Sequence, residues 1–127
     1  MPSDKRKFGD ICENLAIKHL KGKSFSILER NYLKKWGEID IIAEERVSRE
    51  THNIHFIEVK GHIGSADVRP ESNVHYWKTK RLWRAIQTWF LEHPDYEDTD
   101  WQVDVMAVMV DLQNRKAKIR WTKNIML

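Results

Sequence analysis

The stretch 37-GEIDIIAEE-45, followed after a charged interval by 54-IHFIEVKG-61, decides how this chain folds. Each is a short, β-branched apolar run, which reads as a strand with at least one buried face. Each also carries ionisable groups where apolar residues are expected. Asp40 interrupts Ile39-Asp40-Ile41-Ile42-Ala43, and Glu58 and Lys60 close Ile57-Glu58-Val59-Lys60. An isolated carboxylate is costly to remove from water unless it is paired, hydrogen-bonded or bound to metal. Side chains alternate faces along a strand, so Glu58 and Lys60 share one face, and Glu38, Asp40 and Ile42 share a face opposite Ile39 and Ile41. If the two strands pair, Asp40 stands beside Glu58 and Lys60.

Outward from these runs, Trp36 to Ala43 and Asn53 to Lys60 are the second and third strands, with Glu44 to His52 as a charged hairpin loop. Ser24 to Tyr32 reads as a first strand. Before it, Phe8, Ile11, Cys12, Leu15, Ala16 and His19 form one stripe, which predicts a helix from Phe8 to about Leu20 that stops at Gly22. Gly61, Gly64 and Pro70 mark an irregular connection to a second helix. Ser72 or Asn73 caps that helix, and Leu82, Ala85, Ile86, Trp89 and Phe90 form its apolar face. Trp101 to Val110 is a strong strand and Ala117 to Thr122 an edge strand. The order α, β, β, β, α, β, β argues for an α/β domain with a mixed central sheet and flanking helices.

The 127 residues suit one domain over 1–127. No apolar stretch approaches the roughly 20 residues that span a bilayer, and no apolar run follows the charged N-terminus as in a secretory signal. One cysteine, Cys12, rules out an internal disulfide and a multi-cysteine zinc site. These features point to a cytoplasmic protein with no membrane partner. The net charge of +3 permits an anionic partner without demanding one. Lys78-Thr79-Lys80-Arg81-Leu82-Trp83-Arg84 concentrates positive charge, and Glu92 to Asp100 is acidic. Lys78, Lys80, Arg81 and Arg84, interleaved with Trp77 and Trp83, form either a solvated helix face or a surface that grips phosphates and stacks on bases.

Two carboxylates and a lysine on neighbouring strands admit two readings. One is a cross-strand ion pair worth about 0.2–1 kcal/mol. The other is a site for a hard cation, since Mg²⁺ and Mn²⁺ take oxygen ligands and often need only one or two carboxylates plus water. Bound metal would activate water and offset charge on a phosphate oxygen, with the lysine assisting. Glu13, at the flank of the first helix's stripe, is a candidate fourth group. Glu38 reads as a strand-entry residue or outer partner, and Asp104 as either a structural hydrogen-bonding carboxylate or a group near the site.

Gly37-Glu38-Ile39-Asp40 followed by Phe56-Ile57-Glu58-Val59-Lys60 resembles the PD-(D/E)xK nuclease pattern. More narrowly, the chain resembles the YraN family of small bacterial proteins, with a restriction-endonuclease-like and Holliday-junction-resolvase-like fold. Gly9, Glu13 and Ala16 (G-x-x-x-E-x-x-A), Arg30-Asn31-Tyr32, Lys78 with Leu82 and Ala85, and Val103-Asp104-Val105 extend the likeness from about Phe8 to Val110. The resemblance implies an αβββαβ core and metal ligation by Asp40 and Glu58. It also implies a catalytic set of Asp40, Glu58, Lys60 and Glu13, with Mg²⁺ or Mn²⁺ as cofactor. The implied substrate is nucleic acid, DNA ahead of RNA, in branched or distorted form. Two features depart from the family. Gly61-His62 stands where a polar residue and an arginine are usual, and the Glu44–His52 interval is long. The rival readings are an inactive nucleic-acid-binding module of the same fold, and a homodimeric interaction protein with a tryptophan surface.

Overall fold

A computed structural model describes residues 3–64 and 76–125, the side chains of 76–78 excepted. The elements are α1 (Asp4–Gly22), β1 (Phe25–Lys34), β2 (Gly37–Arg46), β3 (His52–Ile63), α2 (Tyr76–Glu92), a 3₁₀ turn (Pro94–Tyr96), β4 (Asp100–Asp111) and β5 (Lys116–Thr122). The strands form one five-stranded sheet in the order β1-β2-β3-β4-β5. Its neighbours are antiparallel except β3 and β4, which run parallel. Only that pair needs a long crossover, and α2 lies on it. The result is the expected mixed α/β sheet flanked by two helices, consistent with a restriction-endonuclease-like core.

Helix α1 starts earlier than its apolar stripe because Ser3 caps it, its hydroxyl accepting from Arg6 N at 3.2 Å. Its buried side is Cys12, Glu13, Ala16, Ile17 and Leu20, whereas Ile11 is 51% exposed. The buried face is thus rotated from the expected stripe, because an acid, Glu13, occupies part of it. With Phe25, Ile41, Ala43, Ile57 and Met106, this face builds the core on one side of the sheet. On the other side, Leu82, Ala85, Ile86 and Trp89 of α2 pack on Tyr32, Ile39, Ile42, Ile54, Phe56 and Val103. Fully burying each large apolar side chain contributes about 1.5–3 kcal/mol. The C-terminal end of α2 is tied to β1 through Glu92, which accepts from the Tyr32 hydroxyl and, at 2.9 Å, from Lys34 Nζ. The proposed caps Ser72 and Asn73, and Pro70, lie outside the described residues.

β2 and β3 run longer than expected, so the hairpin loop shrinks to 47–51, closed by Val47 N to Thr51 O at 2.8 Å. Gly61 lies inside β3 rather than in an irregular connection. The close approach of α1 explains this glycine: a Cβ there would meet Cys12 Sγ at 2.6 Å and Phe8 Cε2 at 2.8 Å. Gly61→Ala is expected to cost about 1–3 kcal/mol through overpacking. Adding Cys12→Ala should return part of that loss in a double-mutant cycle read by urea unfolding. Strict additivity of the two substitutions would show that the contact does not matter.

The alternation expected along β2 fails at one point. Ile39 packs on the α2 side with Ile42, while Ile41 packs on the α1 side with Ala43. The strand is therefore irregular at Asp40. Opposite it, between the pairs Arg30↔Ile41 and Tyr32↔Ile39, Asn31 has φ +52°. Left-handed backbone costs most residues about 1–2 kcal/mol, and Asn is among the few that adopt it readily. The two strands kink together at this place. Among the described residues, no helix is long and apolar enough to cross a membrane.

Candidate metal and phosphodiester site

The β2–β3 ladder ends at Ile41↔Ile57, while β3 continues beside β4 to Ile63. Where β2 leaves β3, the Val59 N–H donates to Asp40 Oδ2 at 2.8 Å. The kink that spoils alternation in β2 turns this carboxylate to the backbone of the neighbouring strand. Burial pushes the Asp40 carboxyl up to about 7, against the pull of the Val59 N–H, and the negative charges of Glu58, Glu13 and Glu38 raise it further.

Glu13 comes from α1 and is 9% exposed. Burial raises its carboxyl, and the Arg30 guanidinium, 3.5 Å from Oε1, draws it back down. The left-handed turn of Asn31 brings its amide to the same group. In the orientation that the surrounding acceptors dictate, its nitrogen donates to Glu38 Oε1 at 3.0 Å and to Glu13 Oε1 and Oε2 at 3.1 and 3.2 Å. On β3, Lys60 Nζ lies 3.5 Å from Glu58 Oε1, with both side chains partly buried.

The sequence candidates are linked through Asp40, where β2 leaves β3: Glu58, Glu13 and Glu38 all act on its carboxyl, and Lys60 pairs with Glu58. Glu38 joins them as a partner of Asn31. Arg30 and Asn31 were not singled out as site residues, although Arg30-Asn31-Tyr32 is one of the matched motifs. Hydropathy does not mark them, since β1 also carries Ser26, Glu29 and Lys34; the matched motif is the signal. The basic candidates lie elsewhere. Lys80, Arg81 and Arg84 are exposed on α2. The Arg84 guanidinium sits 4.7 Å from the Trp36 ring centroid, and Arg81 abuts Gly37, so this flank lies against the β1–β2 turn. The side chain of Lys78 falls outside the described residues. Of the tryptophans, Trp89 is core, while Trp83 is 43% exposed beside Trp101. Cys12 is buried, and burial together with the charge of Glu13 pushes its thiol up to about 11, which leaves it inert as a nucleophile.

Among the described residues, no three His, Cys, Asp or Glu side chains form a ready metal cage. Mg²⁺ does not require one, since it keeps several waters and is commonly held by one or two carboxylates. Among the described residues, Arg30 lies beside Glu13 and Lys60 beside Glu58. The raised Asp40 carboxyl reflects burial first and the neighbouring acids second.

Asp104 belongs to a separate network. It is fully buried and accepts from Gln102 Nε2 at 2.8 Å, Trp121 Nε1 at 2.9 Å and Asn124 N at 2.9 Å, with His55 Nδ1 at 2.6 Å. His55 Nε2 meets Glu45 Oε1 at 3.1 Å. This polar core ties β3, β4, β5 and the segment after β5 together.

A family model described as "Uncharacterised protein family UPF0102" matches residues 12–108. The chain is 37% identical over 119 residues to a UPF0102 protein of Alkaliphilus oremlandii, covering 94% of this chain and 97% of the relative. Similar proteins occur in Geotalea daltonii, 36% identical over 107 residues with 84% and 80% covered, and in Campylobacter hominis, 34% identical over 121 residues with 95% of each covered.

Proposed function

The chain belongs to the UPF0102 (YraN) family, and from that premise we propose that it is a metal-dependent endonuclease acting on phosphodiester bonds of DNA, with branched or distorted DNA as the preferred form. The observation that carries the reading is the buried Asp40 carboxyl, held by Val59 N–H and pushed up to about 7 by burial and by the neighbouring acids Glu58, Glu13 and Glu38. Asp40 and Glu58 would hold Mg²⁺ or Mn²⁺. When bound, the ion supplies a water of lowered pKa and offsets charge on the phosphate.

The chain's own groups do the rest. Lys60 Nζ, restrained beside Glu58, offers an ammonium where negative charge grows on the phosphate oxygens. Asp40 would hold the ion only as the carboxylate, so its raised pKa would make binding pH-dependent. Arg30 and Asn31 keep Glu13 oriented as an acceptor at the edge of the cluster. Lys80, Arg81 and Arg84 of α2 contact backbone phosphates, an electrostatic role that weakens with salt.

The test is incubation of the protein with labelled linear and four-way DNA in Mn²⁺ or EDTA. We expect cleavage in Mn²⁺ alone, and none by Glu58→Ala. Metal-dependent cleavage that survives Glu58→Ala removes the site assignment, and binding without cleavage in any divalent metal favours an inactive module. A homodimer is a second reading, favoured by a groove of about 640 Å³ lined by Trp83, Phe90, Leu91 and Trp101. Light scattering decides that point: a monomer mass for both wild type and Trp83→Glu excludes it.

A further inference from the structure

We propose that one face of the sheet carries a phosphate track, running from Lys60 across β4 to the outer strand β5, where Arg120, Lys118 and Lys116 take backbone phosphates of the nucleic acid. This rests on the nuclease reading of the site and adds a binding surface to it.

The track follows from register. Lys60 pairs with Ala107, and Ala107 with Arg120; His62 pairs with Met109, and Met109 with Lys118. No bulge interrupts either ladder. Ile57, Met106, Ile119 and Trp121 face α1, and Phe56 and Val103 face α2. Alternation therefore puts Lys60, His62, Lys116, Lys118 and Arg120 together on the α2 side. Adjacent strands are about 4.8 Å apart, so Arg120 stands about 10 Å from Lys60 along one line of register. Same-face residues along β5 are about 6.8 Å apart, twice the roughly 3.4 Å rise per phosphate in a DNA strand.

Charge selects the same direction. Residues 115–123 carry five cations, Arg115, Lys116, Lys118, Arg120 and Lys123, and no acid. Asp111, opposite Lys116, spends its carboxylate on Asn114 N at 3.2 Å and Asn114 Nδ2 at 2.8 Å. The other end of the parallel pair is acidic: Glu44, Glu50, Asp95, Asp98 and Asp100 line a concavity there. A polyanion at Lys60 is repelled from that end and drawn along β5.

Lysines on an edge strand also prevent edge-to-edge pairing. Charge reversal separates the two roles, since glutamate protects an edge as well as lysine does but repels phosphate. The experiment is fluorescence anisotropy with labelled four-way DNA in EDTA at several salt concentrations. It compares wild type, Lys116→Glu/Lys118→Glu, and the control pair Lys18→Glu/Lys23→Glu, whose side chains are exposed on and after α1. The β5 pair should weaken binding at least about tenfold and flatten the salt slope by about two, as expected for two lost phosphate contacts. The control pair should change it far less. Equal loss in both pairs means bulk charge alone and overturns the track. Unchanged affinity in the β5 pair overturns the track and leaves the nuclease reading standing if the wild type cleaves. Wild-type protein that neither binds nor cleaves overturns both.

Discussion

Asp104→Ala should lower the free energy of unfolding by about 3–5 kcal/mol at pH 7. Burial alone would raise this carboxyl. His55, Gln102, the Asn124 N–H and Trp121 outweigh burial and hold it below the usual aspartate range. Alanine leaves an imidazole, an amide, an indole N–H and a backbone N–H without their acceptor in a site of zero exposure. Asp104→Asn keeps one acceptor oxygen and should cost less. The sign with pH follows from the lowered pKa. The ionised group's contribution is present above the unfolded value near 3.8 and is lost as pH falls through the lower folded value. Urea unfolding at pH 7 and pH 3 checks this: the gap between wild type and Asp104→Ala should narrow in acid. A loss under about 1 kcal/mol at pH 7 would mean that water satisfies these donors.

Asp40→Asn should act in opposite directions on activity and stability. Cleavage is expected to fall about 10³-fold, the scale of losing one preorganised charged group from such a site. The metal-free fold should become more stable at pH 8 by about 1–2 kcal/mol, less than the full shift implies because water screens this partly open gap. A folded-state carboxyl raised from 3.8 to about 7 favours the protonated form. Its contribution is intact below the unfolded value and is lost as pH rises through about 7. Asparagine does not ionise and still accepts from Val59 N–H, so the gain should be present at pH 8 and absent near pH 4. In Mn²⁺ the proposed site predicts the reverse, since an ion held by wild type and not by Asp40→Asn would stabilise only the former by linkage. Equal thermal shifts with Mn²⁺ for the two proteins would remove Asp40 from the ligand set.

Much of this architecture was legible because periodicity is local. Ile39 to Ala43 and Ile54 to Val59 read as strands, Leu82 to Trp89 as a helix face, and the meander followed by a crossover as a mixed sheet. The α1 stripe was read one face off because Glu13 is buried, and hydrophobicity cannot count a buried acid. Nothing local marks His55 among the six histidines, since its partner Asp104 lies 49 residues away and only β3–β4 pairing joins them.

From its own order of residues the chain determined which segments become strands and helices, and which charged groups sit among apolar neighbours. Those properties depend on side chains a few positions apart, which the repeat of a helix or strand brings to one face. The tertiary structure alone decided that Asn31 turns left-handed, that Asp40 leaves the alternation to accept from Val59, and that Lys60 falls in line with Arg120. Each depends on register and on where one strand leaves another. Those are settled by packing the whole sheet between two helices, a balance of long-range contacts that no short stretch of sequence contains.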